Sequence, residues 1–226
     1  MSELLAPFSD PEAVARYAEG PPRFVPGFAD LHRMAMLLLA ERAPEMADIL
    51  VVGAGGGLEL RAFAKAQRHW RFVGVDPSAE MLNLARRTLG LLQSRVELQQ
   101  GYIDAAPMGP FDGATCLLTL HFLTKDERLR TLREIRLRLK PGSALVVAHH
   151  SIPEDGDFAR WFARSVAFSG GSSVDIARAS ASAAVIAERL PVLSSDEDEA
   201  ILREAGFSDV ALFYAGLSFR GWVAIT

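Results

Sequence analysis

An α/β fold with a mostly parallel central sheet is the class this sequence predicts, and three observations carry that prediction. Between residues 44 and 150, aliphatic runs alternate with segments whose apolar residues recur at helical spacing. The connections between those segments are short, as successive strand and helix crossovers require. The closing stretch, "DVALFYAGLSFRGWVAIT", breaks the alternation. Its two strand-like halves meet around Ala215 and Gly216, and they read as a hairpin that adds antiparallel edge strands.

Taken in order, strands are predicted over 49–53, 72–76, 96–99, 113–118 and 144–149, with helices over 58–67, 79–91 and 125–139. Lys140, Pro141 and Gly142 stop the last helix, because proline cannot continue one and glycine commonly ends one. An N-terminal arm, 1–43, holds a helix over 27–42. An insertion over 151–190 carries Phe158, Trp161, Phe162 and Phe168, then the small-residue stretch "ARASASAAVIAERL". With no repeat and no long linker, residues 1–226 read as one domain whose insertion packs over the strand ends as a lid. The acidic run "SSDEDEA" from Ser194 reads as a capped helix start, where carboxylates face the positive end of the helix dipole.

Composition limits the function classes. Half of the 226 residues are hydrophobic, enough for a full core, and the net charge of -4 gives no basic excess for a phosphate backbone, which argues against DNA as a partner. The lone Cys116 cannot form an internal disulfide and reads as a reduced, buried thiol. The first residues carry Glu3 and Asp10 rather than a basic region before a long apolar one, and the longest apolar run, 34–40, is far too short to span a bilayer. A cytoplasmic, soluble protein is expected, with no membrane partner.

The most informative stretch is "ILVVGAGGGLEL", where four glycines fall within five residues behind the first strand. In open α/β sheets, ligands bind beyond the carboxyl ends of the strands where strand order reverses. Gly53 permits a sharp turn, Gly55 lets backbone approach a ligand, and Gly57 lets the next helix pack closely. A dinucleotide fingerprint would place a third glycine at position 58, which is Leu58, so a pyrophosphate is poorly served. Asp76, at the end of the next strand and 23 residues past Gly53, can accept from both hydroxyls of a ribose. Its alternative role is a turn residue ahead of Pro77 and Ser78.

With these features, the sequence resembles the class I S-adenosylmethionine-dependent methyltransferases. The glycine loop, "GVDPSAEML", "FDGATCLLTLHFL", "LRLKPGSALVV" and "LREAGFSDVALF" each look like a family motif, in the expected order. Within that superfamily, "RFVPGFADLHRMAMLLLAERA" and "LLTLHFLTKDERLRTL" look most similar to the carboxy-S-adenosylmethionine synthase family, which modifies the cofactor in support of tRNA wobble-uridine modification. The resemblance implies a Rossmann-like, seven-stranded sheet, S-adenosylmethionine as cofactor with S-adenosylhomocysteine as product, and a homodimer. It implies that Gly53, Ala54 and Gly55 line the methionine portion, that Asp76 holds the ribose, and that Pro77 lies beside the adenine. Tyr102 and Ile103 fall at the adenine edge, Leu117 at the methionine end, and Phe28 where an aromatic closes the pocket. Met81 packs on the adenine or simply in the core.

Departures from the synthase pattern favour ordinary methyl transfer to a small-molecule acceptor over carboxylated-cofactor chemistry. The resemblance leads one to expect an acid at Tyr102, an amide at Leu117 and a tyrosine at Phe28. It also leads one to expect an arginine near Ala181, whose charge-assisted pair with a carboxylate no small residue can imitate. Methyl transfer needs mainly alignment and exclusion of water, and a base only for a protonated nucleophile. His121, after the fourth strand, is the candidate base. His149, Trp161 and Phe162 are candidates for contacting the acceptor. His149 and His150 would point to opposite faces of one strand, so one at most faces the pocket. These histidines, with Glu154 and Asp155 as the nearest acids, make no recognisable metal set, and His32 and His69 read as surface residues.

Overall fold

Among the described residues eight strands form the sheet, one more than the sequence predicts. The computed structural model describes residues 8–154, 156–171 and 175–226, without the side chains of 185 and 186. The arm holds helices α1 (Pro11–Arg16), α2 (Gly20–Phe24) and α3 (Phe28–Ala40). The alternating core follows as β1 (Asp48–Val52), α4 (Leu58–Ala66), β2 (Arg71–Asp76), α5 (Ala79–Leu89), β3 (Val96–Gln100), β4 (Phe111–Leu117), α6 (Lys125–Leu137) and β5 (Leu139–Ile152). Then come α7 (Phe158–Ser169), α8 (Ile176–Ala187), β6 (Leu193–Ser194), α9 (Ser195–Glu204), β7 (Ser208–Gly216) and β8 (Phe219–Ile225).

The strand order is β3-β2-β1-β4-β5-β8-β7, with the two-residue β6 pairing beside the end of β5. Pairings from β3 through β5 are parallel, and β8 is antiparallel to both β5 and β7. Strand order therefore reverses between β1 and β4, which places the crevice at their carboxyl ends. β1 reads as continuous apolar sequence because both of its faces are covered: Ile49 and Val51 join one buried layer with Leu31, Leu60 and Phe63. Leu50 and Val52 join the other with Leu132, Ile135, Ile201 and Trp222.

The helix starts follow local chemistry. Ser78 caps α5 by accepting from Met81 N–H, while Thr124 with Glu127 and Ser194 with Glu197 close reciprocal capping boxes on α6 and α9. Two predicted boundaries move. Strand β5 begins at Leu139, so Lys140, Pro141 and Gly142 open a strand rather than end a helix; they sit at its irregular start, where the register with β4 shifts and proline is tolerated. The hairpin turns at Leu217 and Ser218, two residues beyond the predicted place, with Gly216 paired to Phe219. His32, read as a surface residue, is buried between Phe28 and Phe63 with ring centroids 4.3 and 6.3 Å away, whereas His69 is exposed as expected.

Candidate active site

A cavity of about 400 Å³ opens at the carboxyl ends of β1 to β4, a size in the range of small-molecule sites. Val52 and Gly53 bound it after β1, Val75 to Ser78 after β2, Gly101 to Ile103 after β3, and Leu117 to Thr119 after β4. A more open depression lies at the other end of the sheet, around Asp48, Arg71, Val96 and Phe111, where these strands begin. Sheet geometry favours the first as the ligand site.

The glycines are there for backbone geometry. Gly53, Gly55 and Gly57 have φ of 76°, 45° and 77°, a region that side chains strain. A methyl group on Gly53 would collide with Thr119, and one on Gly57 would sit 2.9 Å from Ala85 Cα, which is why α4 and α5 can touch. Asp76 Oδ2 accepts from Gly55 N–H and Oδ1 from Ser78 N–H, both at 2.9 Å. Burial raises the Asp76 pKa, and these two N–H donors oppose the rise. Leu118, with φ of 56°, turns the chain so that Leu117, Leu118 and Thr119 all reach the cavity. From the arm, Phe8 and Tyr17 complete the wall. Burial, then the nearby Asp76 and Glu59 carboxyls, push the Tyr17 pKa up to about 12, so its phenol stays neutral.

Residues 49–142, which carry the glycine loop and the Asp76 turn, match the family model of a methyltransferase domain. The chain thus carries a methyltransferase domain over these residues, on the Rossmann-like fold that its structural neighbours share. A carboxy-S-adenosyl-L-methionine synthase from Pseudomonas fluorescens is 28% identical over 220 residues, covering 90% of this chain and 86% of that protein. Among solved structures, human N-acetylserotonin methyltransferase in complex with S-adenosylmethionine superposes with a TM-score of 0.66 at 13% identity, over 99% of this chain and 58% of that one. PigF with S-adenosylhomocysteine gives 0.67 at 17%, over 99% and 62%. The chain thus spans about three-fifths of the length of those two proteins.

The cavity brings together most of the predicted cofactor residues: Gly53, Gly55, Asp76, Pro77, Met81, Tyr102, Ile103 and Leu117. Two fall elsewhere. Ala54 turns into the core because its neighbours take the positive φ values, and Phe28 packs on His32 within the core, leaving Tyr17 and Phe8 as the arm's aromatics at the cavity. Neither was singled out in the sequence, since Tyr17 sits in a short polar helical stretch without a motif. Thr119 and Thr131 also went unmarked.

The histidines are rearranged as well. His121 is buried outside the cavity lining, and its Nδ1 accepts from the His150 backbone N–H at 3.4 Å. That contact leaves the ring hydrogen on Nε2, so His121 presents a donor and not the lone pair a base needs. His149 and His150 do point to opposite faces, but His149 turns away from the predicted acceptor side: its Nε2 lies 3.1 Å from Asp198 Oδ1 in a buried group with Arg128. His150 instead stacks on Phe219 at 4.0 Å, meets Phe162 at 5.0 Å, and places Nδ1 2.9 Å from Ser218 Oγ, itself 2.7 Å from Ser165 Oγ of α7. Phe162 is buried there, while Trp161 stacks with Arg164 at 4.2 Å. No group of three metal-ligating side chains occurs among the described residues, and Asp155 lies outside them.

Burial of these groups sets a pH dependence of stability. Burial lowers His32 to about 4 and His150 to about 3, and pushes His121 well below its ordinary 6.5. A folded-state pKa below the unfolded one gives stability that is present above pH 6.5 and is lost as the pH falls, by up to about 1.4 kcal/mol per group per pH unit. Glu59, hydrogen-bonded to Thr115, is raised from 4.5 to about 8 by burial, so its contribution is present below 4.5 and is lost as the pH climbs toward 8. These four groups together predict maximal stability near pH 6.5 in urea unfolding, with Glu59→Gln flattening the alkaline limb. A profile that stays level between pH 4.5 and 8.5 would contradict the burial of these side chains.

Proposed function

We propose that the protein transfers a methyl group from S-adenosylmethionine to a planar, uncharged small molecule held beneath a lid formed by residues 151–190. The cavity lining carries the reading: among the described residues it holds one carboxylate, Asp76, and no arginine, lysine or histidine. The bare glycine backbone fits a methionine tail, Asp76 the ribose, and the Pro77, Met81 and Ile103 surfaces an adenine. When bound, this cofactor supplies an electrophilic methyl group. The chain's own part is to align a nucleophile with it and to exclude water. The aromatic cluster of Phe158, Phe162 and Phe219 around His150 lies outside the cavity lining, so the lid's part in this rests on the test below.

The alternative is carboxylated-cofactor chemistry, favoured by the 28% identity to the synthase. An additional carboxylate in the cavity would have no cationic lining residue to pair with, which weighs against it. A single-domain homodimer in the cytoplasm belongs to the same proposal, supported by the exposed Leu37 on the apolar arm helix and the buried free thiol of Cys116.

Two measurements test this function. Mass spectrometry of the nucleoside that copurifies should find S-adenosylmethionine or S-adenosylhomocysteine; the carboxylated form would replace the main reading with the alternative. With radiolabelled methyl donor and a panel of phenols, indoles and amines, the double variant Trp161→Ala, Phe162→Ala should keep cofactor affinity within twofold and lose at least about tenfold in turnover of any acceptor found. Undiminished turnover would remove the lid from the site.

A further inference from the structure

One threonine at the cavity is unusual for its place. Thr131 lies in the middle of α6, is 8% exposed, and lines the cavity together with Ile103, Leu123 and Tyr102. A threonine in a helix interior commonly turns its hydroxyl back onto the carbonyl four residues earlier, as Ser180 does to Ile176 here. Thr131 makes no such bond, and among the described residues its hydroxyl has no hydrogen-bond partner, yet it is not sealed from the cavity. The hydroxyls of Ser9 and Tyr17, from the arm, and of Tyr102, at the rim, are also without a partner among the described residues, but the polar groups of the core strands and of α5 at this site are engaged. Asp76 holds two backbone N–H groups, Ser78 caps α5 and reaches Phe8, and Thr119 donates to Leu117.

The position of this free hydroxyl determines what it can meet. The glycine loop and Asp76 take one end of the cavity, after β1 and β2. Thr131 belongs to the other end, where α6 packs on the 103–105 turn and the walls, Ile103 and Leu123, are apolar. A flat heteroaromatic ring fits between such walls, and a buried polar atom among them discriminates by what it leaves unpaired. Resting on the cofactor reading above, we infer that the Thr131 hydroxyl accepts a hydrogen from the 6-amino group of adenine and is a determinant of the cofactor's base. Tyr102, 42% exposed at the rim, contributes ring surface and not this bond.

The test is calorimetric binding of two ligands to the full chain: S-adenosylhomocysteine and its analogue with hydrogen in place of the 6-amino group. Thr131→Val keeps the shape and removes the hydroxyl. It should weaken S-adenosylhomocysteine about fivefold to tenfold and leave the deaminated analogue within twofold, while Thr131→Ser restores most of the loss. Equal weakening of both ligands, or of neither, overturns the inference even though the cofactor reading stands. Failure of both ligands to bind the unaltered protein overturns the cofactor reading and the inference with it. Unchanged thermal unfolding of Thr131→Val separates the effect from damage to α6.

Discussion

Asp76→Ala is expected to weaken S-adenosylmethionine binding by at least about a hundredfold, and to do so by two routes at once. The carboxylate is proposed to hold the ribose hydroxyls, and a hydrogen bond to a charged acceptor contributes roughly 1.5–3 kcal/mol. It also accepts from Gly55 N–H and Ser78 N–H, so its loss frees the glycine loop and the start of α5 together. Asp76→Asn separates the routes. An amide offers one acceptor oxygen, so one of the two N–H groups stays satisfied and the affinity should fall between the parent and Ala. Isothermal titration reads the series, and parental affinity in Asp76→Ala would refute the assignment of the ribose to this side chain.

Arg128→Met should be the most destabilising single change among those considered, costing roughly 3–5 kcal/mol, since it leaves a buried carboxylate without its cation. Arg128 Nη1 lies 2.6 Å from Asp198 Oδ1, and both side chains are nearly inaccessible. Burial pushes the Asp198 carboxyl up, but His149 and Arg128 hold it below its ordinary value. The same guanidinium donates from Nη2 to Pro191 O at 2.6 Å and from Nε to Leu123 O at 3.1 Å. It therefore ties the exit of the 151–190 segment to a residue of the cavity wall. Denaturant titration should show the loss, and removing the stranded charge with Asp198→Leu in the same chain should recover more than half of it. A single-variant loss below about 1 kcal/mol would mean that water reaches this group freely.

Much of the fold was legible because its signals are local. The five central strands are short aliphatic runs between helical segments, and Gly53, Gly55 and Gly57 announce a turn that no other residue could make. The misplaced features depend on contacts distant in sequence. Lys140 to Gly142 has the local grammar of a helix stop, yet the pairing of Leu139 with Phe111 draws it into a strand. Strand β6 exists only because Leu193 and Ser194 pass beside the end of β5. In the site, the cavity lining was readable where a motif fixes position, as at Asp76, Pro77 and Ile103. Tyr17 and not Phe28 reaches the cavity, because both are arm aromatics and only the path of the chain decides which one does. For the histidines, strand alternation told that 149 and 150 diverge. Which one takes the side of Phe162 depends on the placement of α7 and α9, about which two adjacent identical residues carry no information.

The arm's share in the cavity wall has one more consequence. Phe8 and Tyr17 belong to a peripheral segment held to the body by a few contacts, among them Ser78 Oγ to Phe8 O and Tyr214 OH to Pro26 O. A ligand that touches that wall binds only the form in which the segment is docked, so occupancy and docking are thermodynamically linked. Cleavage by a protease within residues 8–26 then becomes a gauge of site occupancy, slowing in step with ligand concentration and independent of whether any acceptor is present.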